Sequence, residues 1–360
     1  MTGRQMALRL GVVGSIWTLL NLNVGRHLIG VPRIAAWPAV LVLAWLPLLV
    51  LVVGRRPPFA GKRALEWAGY VALGLSSMLI VFFAVADVLH LPAWGFDARR
   101  VSLTVFTGAA VLTLVGLLQA RRPRVVRVAV PIRDLPSDLA GLRIVQLSDL
   151  HVGPTLRRQF VADVVARTND LHPDLVALTG DVADGFVPEM REHVAPLAGL
   201  VAPLGAFFVT GNHEYYWDPL GWTRELERLG FAVLSNEHRL LVRGNGRLLL
   251  AGVTDLSADS DPAAAMAGAP ESDVRVLLAH QPRSAYAARD AGFDLQLSGH
   301  THGGQYFPFN LLVRLFQPFV SGLHRLEQMW LYVSRGTGYW GPPLRLGAPS
   351  EITLLELVPA

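Results

Sequence analysis

Residues 142–151 read LRIVQLSDLH, and this stretch decides how the C-terminal two thirds of the chain folds. Residues 142–147 form an apolar run with the length of a buried strand, and the polar residues Ser148, Asp149 and His151 follow within four positions. The same arrangement recurs along the chain after the apolar runs 175–178, 206–209, 248–253, 274–278 and 295–297. Such runs predict strands of a sheet that binds its ligand at the carboxyl ends.

Stretches with helical periodicity separate these predicted strands. The three clearest lie near residues 155–165, 222–229 and 284–291. Thr155 is the residue predicted to cap the first of these helices. Strands that alternate with helices predict an α/β fold for residues 128–360.

The first 127 residues have a different character. Uncharged runs lie near residues 35–54, 68–86 and 101–120, and a weaker fourth candidate near 10–25 carries Asn21 and Asn23. About 20 helical residues cross the hydrocarbon core of a bilayer. Residues 1–127 are therefore predicted to form an all-α transmembrane domain of three to four helices. The two asparagines are interpreted as contacts between these helices.

The distribution of arginine in the loops predicts how the spans are oriented. Up to Arg127, basic residues outnumber acidic ones by 14 to 3. With four spans, ten of these basic residues share the side of both termini and four lie on the opposite side. The positive-inside rule then predicts a multi-pass cell-membrane protein whose C-terminal domain lies in the cytoplasm.

Composition excludes several classes of function. The 360 residues include no cysteine, which excludes disulfides, thiolate metal sites and cysteine nucleophiles. The 17% of charged and 52% of hydrophobic residues argue against a disordered chain. The net charge of +4 combines +11 up to Arg127 with −7 after it, and the positive charge lies between the apolar segments and forms no basic stripe on one domain, so no nucleic-acid binding is predicted.

Five polar clusters at the predicted strand ends carry side chains of the kinds that bind metals. The clusters are Asp149-x-His151, Gly180-Asp181-x-x-Asp184, Gly211-Asn212-His213-Glu214, His280 and Gly299-His300-Thr301-His302. Imidazole, carboxylate and amide oxygen are ligands for manganese, iron, zinc or cobalt. The i, i+2 pairs of the first and last clusters put both side chains on the same side of an extended chain. A metal centre is therefore predicted.

In this order, the five clusters resemble the motifs of the calcineurin-like metallophosphoesterases. The fuller strings LSDLHVG, LTGDVAD, VTGNHEYY, LLAHQP and SGHTHGGQ, with the tail from residue 331, are similar to the membrane-associated branch of that superfamily. That branch includes transmembrane metallophosphoesterases and enzymes similar to UDP-2,3-diacylglucosamine pyrophosphatases. The resemblance covers about residues 142–357, and it implies a four-layer αββα sandwich.

The resemblance also implies a role for each residue of the clusters. The ligands of one divalent ion would be Asp149, His151 and His302. The ligands of the second ion would be Asn212, His280 and His300. Asp181 would bridge the two ions, and His213 would act as the acid at the leaving oxygen, with Asp184 orienting its neighbours. Manganese is the favoured metal, with iron, zinc and cobalt as alternatives, and no other cofactor is implied.

The implied activity is hydrolysis of a phosphoester or pyrophosphate bond by metal-activated hydroxide. The substrate would be a phosphate-containing small molecule or a lipid, and UDP-2,3-diacylglucosamine is the precedent in the resembled branch. Two other classes of function stay open. One is a metal-binding regulatory module without turnover, and the other is a transporter or sensor whose function lies in the transmembrane helices.

Residues 306–320, which we call the lip, follow the last cluster and are rich in Phe and Leu with Arg314 as their one charge. They are interpreted either as a core or docking segment or as an apolar surface for membrane lipids or an acyl chain. Asp255, Arg335 and Arg345 are weaker candidates for substrate contacts. A cap or a solvated turn is the favoured interpretation for Asp255, and a solvated surface position is favoured for the two arginines.

Overall fold

The computed structural model describes residues 3–27, 33–53, 59–89 and 95–360. The chain divides into two compact units. The first unit contains the residues up to Leu118 together with Gly341–Leu346, and the second contains Gln119–Trp340 and Gly347–Ala360. The predicted boundary at residues 127 and 128 falls inside the first strand, which begins at Arg124.

The described part of the first unit contains a helix at each of the four predicted spans. The helices are α1 (Gly3–Arg26), α2 (Arg33–Val53), α3 (Lys62–Val88) and α4 (Ala98–Gln119). Residue 54 of the second predicted span lies outside the described residues. By length and composition, α3 and α4 could each cross a bilayer, and α2 contains a shorter apolar stretch, Val40–Val50. The described residues therefore contain two candidate spans, and three to four spans stay a prediction.

Hydrogen bonds of polar side chains connect the first three helices. Asn21 is buried, donates to the carbonyl of Trp17 at 3.0 Å and accepts from Ser76 Oγ at 2.9 Å. The indole of Trp17 donates to the carbonyl of Ala44 at 3.0 Å. Hydrogen bonds of this kind stabilise helix association in lipid by about 1 kcal/mol each. The helix contact predicted for Asn21 is present.

Two six-stranded sheets form the centre of the second unit. The strands are β1 (Arg124–Ile132), β2 (Arg143–Leu147), β3 (Leu175–Thr179), β4 (Ala206–Val209), β5 (Phe231–Val233), β6 (Glu237–Arg243), β7 (Gly246–Gly252), β8 (Val274–Leu278), β9 (Leu295–Ser298), β10 (Gly322–Leu326), β11 (Met329–Val333) and β12 (Glu351–Pro359). One sheet has the order β1-β12-β2-β3-β4-β5 and the other β10-β11-β9-β8-β7-β6. In each sheet four consecutive strands are parallel, namely β2 to β5 and β11-β9-β8-β7. All six predicted strands are confirmed to within two residues.

Helices cover the outer face of each sheet. The helices of the second unit are α5 (Arg158–Asn169), α6 (Val187–Val194), α7 (Asn212–Trp217), α8 (Pro219–Arg228), α9 (Pro262–Met266), α10 (Ala285–Asp290) and α11 (Phe309–Leu312). Helices α5, α6 and α8 pack on the first sheet, and α9 and α10 pack on the second. Apolar residues of both sheets form a third core between them. The predicted four-layer αββα sandwich is therefore confirmed.

Alternation along β2 explains how one short strand serves two cores. Val145 and Leu147 pack toward the helices, and Ile144 packs in the core between the sheets. Gln146 is also buried, and its amide donates to the carbonyl of Ser298 in the other sheet at 2.9 Å. This hydrogen bond joins the ends of two strands that lead into the candidate site.

The predicted N-cap of α5 is wrong. Arg157 occupies the N-cap position without a capping side-chain hydrogen bond, and the helix begins at Arg158. Thr155 lies before it in a turn in which Gly153 N donates to the carbonyl of Leu156 at 2.8 Å. The first residues of the predicted helical stretch therefore belong to this turn, and the helix begins after it.

Candidate metal centre

The five polar clusters lie at the carboxyl ends of β2, β3, β4, β8 and β9. The first three strands are neighbours in one sheet and the last two are neighbours in the other. Since parallel strands point their carboxyl ends in the same direction, the loops that follow them converge on one region. All seven predicted ligands lie just after these strand ends, and Asn212 is the first residue of α7.

Asp149, His151 and His302 come together as the first predicted ligand set. One ligand atom from each of the three lies within 4.8 Å of the others. The two Nε2 atoms of His151 and His302 are 3.0 Å apart, and Asp149 Oδ1 is 3.4 Å from His302 Nε2. Ligand bonds of about 2.1 Å would place two nitrogens on one ion at this separation. The three side chains therefore fit a shared divalent cation.

The second predicted set comes together beside it. Ligand atoms of Asp181, His280 and His300 also lie within 4.8 Å of one another. Asn212 Oδ1 is 3.0 Å from His300 Nδ1 and 3.2 Å from His280 Nε2. His280 Nδ1 donates to the carbonyl of Thr179 at 2.7 Å, which directs Nε2 toward the cluster. A backbone acceptor of this kind is the usual support of a histidine that binds metal.

Asp181 lies between the two sets. Its Oδ2 is 3.2 Å from His280 Nε2 in the second set and 3.7 Å from His151 Nε2 in the first. The other oxygen, Oδ1, accepts a hydrogen bond from His213 N at 2.9 Å. Burial opposes the charge of Asp181, but His280 and His151 outweigh burial and lower the pKa of this carboxyl below its ordinary value. One carboxylate is thus within reach of both ligand sets.

Five of the seven predicted ligands have left-handed backbone conformations. They are Asp149, His151, Asp181, His300 and His302, with φ between 46° and 71°. Only a few per cent of residues other than glycine adopt such φ values, and each costs on the order of 1 kcal/mol. Strain concentrated on five polar residues in one place is characteristic of a functional site rather than of a loop chosen for stability.

Asp184 connects the first ligand set to His213. Its Oδ1 lies 3.1 Å from His151 Nδ1 and 2.6 Å from His213 Nδ1. Burial raises the pKa of Asp184, but the two histidines outweigh it and lower the pKa to about 2. Burial likewise lowers the pKa of His151, but Asp184 and the other carboxylates raise it to about 9. A cation bound at His151 Nε2 would compete with this proton.

Glu214 holds two of the loops together through their backbones. Its carboxylate accepts hydrogen bonds from the N–H groups of Asp181, Val182 and Gly211 at 2.7–3.0 Å. Burial and the charge of Asp181 raise the pKa of Glu214 to about 7, against the effect of these three donors. Glu214 thus positions the loop that carries Asp181.

Glycine is required where the loops approach each other most closely. A methyl group on Gly299 would overlap Ser148 Oγ and the carboxylate of Asp149. Gly180 has φ +86°, and a methyl group there would lie 2.7 Å from His280 Nδ1. Both glycines let the backbone come close to candidate ligands.

The weaker candidates for substrate contacts, Asp255, Arg335 and Arg345, differ in their burial and hydrogen-bond partners. Asp255 is buried, so its predicted solvated position is wrong; its carboxylate accepts from Ser257 N at 2.8 Å and from the amide of Gln281 at 2.9 Å. Arg335 donates to the buried carboxylate of Glu351 at 2.9 Å. Arg345 is fully buried, so its predicted place on the surface is wrong. A sequence shows the charge of such an arginine but not the tertiary contacts that bury it.

The lip exposes large apolar side chains. Leu315 is 75% and Phe316 is 70% exposed, and Leu311 and Leu312 on α11 are exposed as well. An open cavity of about 490 Å³ lies here and is lined by Arg283, Tyr286, Arg314, Leu315, Phe316, Gln317 and Pro318. Because so much of the lip is exposed, the interpretation as a core segment is wrong for residues 311–316.

Sequence reasoning did not identify an aromatic pair beside His213. The rings of Tyr216 and Trp340 lie with their centroids 5.0 Å and 5.7 Å from the imidazole centroid of His213. Tyr216 is contained in the quoted motif VTGNHEYY, and Trp340 lies between the tail segments 331–338 and 343–357 that carry the resemblance. Their proximity in sequence to those motifs was the one signal that could have identified the two residues.

A family model described as calcineurin-like phosphoesterase matches residues 142–304. The chain is 40% identical over 264 residues to a Danio rerio protein named "Transmembrane protein with metallophosphoesterase domain", with coverage of 69% of this chain and 60% of that protein. It is 42% identical over 279 residues to a Bos taurus protein of the same name, with coverage of 72% and 63%. The chain thus spans less than two thirds of the length of these relatives.

A shorter relative is matched over nearly its whole length. An uncharacterized metallophosphoesterase of Aquifex aeolicus is 33% identical over 246 residues, which cover 65% of this chain and 91% of that protein. The family model spans residues 142–304 and so includes all five polar clusters.

Proposed function

Since the chain belongs to the calcineurin-like metallophosphoesterases, we propose that it is a membrane-anchored hydrolase of phosphoester or pyrophosphate bonds with two divalent metal ions. The observation that carries this proposal is the position of Asp181 between two sets of ligand atoms, with His213 next to it. When bound, two such ions polarise a phosphoryl group and lower the pKa of a water to near 7.

Each residue of the site would then have a separate role in metal binding or proton transfer. Asp149, His151 and His302 hold one ion, and Asn212, His280 and His300 hold the other, with Asp181 shared. Asp184 accepts from Nδ1 of His213, which leaves Nε2 as the ring nitrogen that delivers a proton to the leaving oxygen. The same carboxylate orients His151. Manganese is the ion that we favour.

The proposal is tested by metal-dependent turnover of the full chain. Metal ions are removed with a chelator, and manganese, iron, zinc or cobalt is added back before a phosphomonoester, a phosphodiester and a UDP-sugar-lipid pyrophosphate are offered. We expect about two ions per chain by elemental analysis and turnover of at least one substrate class, lost on chelation. Two bound ions with no turnover of any class would favour a metal-binding regulatory module. Transport activity that survives loss of Asp181 would favour a transporter or sensor.

The lip supports a lipid-linked substrate of the UDP-2,3-diacylglucosamine type. Its exposed apolar side chains and the cavity beside them suit an acyl chain or the bilayer surface. We expect Leu315→Glu with Phe316→Glu to lower kcat/KM for the lipid-linked pyrophosphate at least tenfold more than for a soluble phosphoester. The corresponding pair Leu315→Met and Phe316→Leu, which stays apolar, serves as the control. Equal losses on both substrates would contradict a role of the lip in lipid recognition.

We further propose a multi-pass topology with the hydrolase unit in the cytoplasm. Two apolar helices of sufficient length and relatives with "transmembrane" in their names support a membrane location. Because the chain has no cysteine, one introduced at the exposed Val201 would be its single thiol. We expect a membrane-impermeant maleimide to label Val201→Cys only after cells are permeabilised. Labelling of intact cells would place the unit outside.

A further inference from the structure

Two exposed aromatic side chains lie close to the imidazole of His213. Tyr216 is 66% and Trp340 is 56% exposed, whereas His213 is buried. The ring of Tyr216 is inclined by 59° to the imidazole and that of Trp340 by 76°. Large rings that remain in water at the edge of a polar site offer their faces to a ligand.

Both rings are carried by backbone that the candidate site itself fixes. Tyr216 lies on α7, which begins at Asn212 and also carries His213. Trp340 N donates to Gln305 Oε1 at 2.9 Å, and Gln305 Nε2 donates to the carbonyl of Trp340 at 2.8 Å. Gln305 is buried and follows His302 by three residues. This closed pair of hydrogen bonds holds the backbone of Trp340 and leaves its indole at the surface.

We propose that Tyr216 and Trp340 form a stacking subsite for a planar aromatic part of the leaving group, of the kind found in a nucleoside. The inference rests on the proposed role of His213. In hydrolysis the oxygen of one water bonds to phosphorus, the bond from phosphorus to the leaving oxygen breaks, and that oxygen takes a proton. A group that takes its proton from His213 must leave next to that ring, and therefore close to Tyr216 and Trp340, whose centroids lie 5.0 Å and 5.7 Å from the imidazole centroid.

The chemistry of the two rings selects the class of leaving group. Stacking of a base on an aromatic side chain accepts any base, because every base has a π face. The exposed aliphatic side chains Leu311 and Leu315 belong to a different segment, the lip. A planar ring is thus recognised next to His213, and an acyl chain is assigned to the lip.

The test compares two phosphates that differ only in the base, adenosine 5′-monophosphate and ribose 5-phosphate. With manganese, we expect the wild-type chain to favour the nucleotide at least tenfold in kcat/KM. Trp340→Leu should lower that ratio about tenfold, and Trp340→Phe should retain most of it because the ring is kept. Leu220→Ala, which changes an exposed apolar residue on α8, is the control and should leave the ratio unchanged.

Equilibrium binding of the same two phosphates separates this inference from the proposed function. If neither phosphate is hydrolysed, calorimetry on the manganese-loaded chain should still give the tenfold preference and its loss in Trp340→Leu. That result would retain the subsite while the proposed activity fails on these substrates. Equal affinity for the two phosphates, or a ratio that Trp340→Leu leaves unchanged, would overturn the subsite. A Trp340→Leu effect that appears only as altered lipid association would overturn it too and assign the indole to the membrane.

Discussion

Replacement of His213 by alanine should lower kcat by about 10²- to 10⁴-fold and leave both metal ions bound. The expected size of the loss is that of a general acid. Nδ1 of the His213 imidazole donates a hydrogen bond to Asp184 at 2.6 Å. The backbone N–H of residue 213, which alanine retains, donates to Asp181. The substitution therefore removes a proton donor and preserves the hydrogen bond that positions the shared carboxylate.

The dependence on the leaving group identifies the role of His213. A p-nitrophenolate leaves without protonation, so we expect the loss in His213→Ala to shrink markedly for p-nitrophenyl phosphate relative to an alkyl phosphate. His172→Asn is the control, since His172 is exposed in a turn at φ 48°, a conformation that asparagine tolerates. An equal loss on both substrates, accompanied by fewer bound ions, would instead make His213 a support of the metal ligands.

The six predicted strands are largely buried, but β11 and β12, which are also buried, were not among them. Strands β3, β4 and β8 have nearly continuous apolar sequences because each packs between two layers, whereas β2 and β9 each include a buried glutamine. The edge strands β6 and β10 are half exposed and mix charged with apolar residues, and the edge strand β5 has only three residues, so no apolar run marked these strands. The local pattern of an edge strand does not differ enough from that of a loop.

The candidate site was predictable in its residue types and not in its backbone. Glycines beside Asp181, Asn212 and His300 indicated tight loops, but nothing in the sequence indicates a left-handed conformation at Asp149 or His151. That conformation depends on contacts between loops that are distant along the chain.

Long-range contacts also explain what sequence reasoning missed at the edge of the site. Gln305 and Trp340 are 35 residues apart and meet through a pair of hydrogen bonds. A tryptophan in a sequence is more often a packed residue than an exposed ring, so Trp340 gave no sign of its position. The same argument applies to Tyr216, which lies on a short helix whose exposed face no pattern identified.

Replacement of Asp181 by asparagine should lower kcat/KM by at least about 10³-fold, which corresponds to roughly 4 kcal/mol of lost transition-state stabilisation. The side chain keeps its size, and the amide oxygen can still accept from His213 N. It loses the charge within 3.2 Å of His280 Nε2 and 3.7 Å of His151 Nε2. A neutral oxygen binds a divalent cation more weakly than a carboxylate does. Both ligand sets should therefore lose affinity for their metal ions.

The metal content of the variant tests the role of Asp181 in both ligand sets independently of turnover. We expect elemental analysis of Asp181→Asn to give fewer than two ions per chain, and we expect added manganese to raise its melting temperature less than that of the wild type. Asp170→Asn, at an exposed position after α5, is the matched control and should bind two ions. Two ions retained with near-normal turnover would show that the two ligand sets do not depend on Asp181. One ion retained with turnover lost would instead support a shared carboxylate, because its charge is what lets two cations lie side by side.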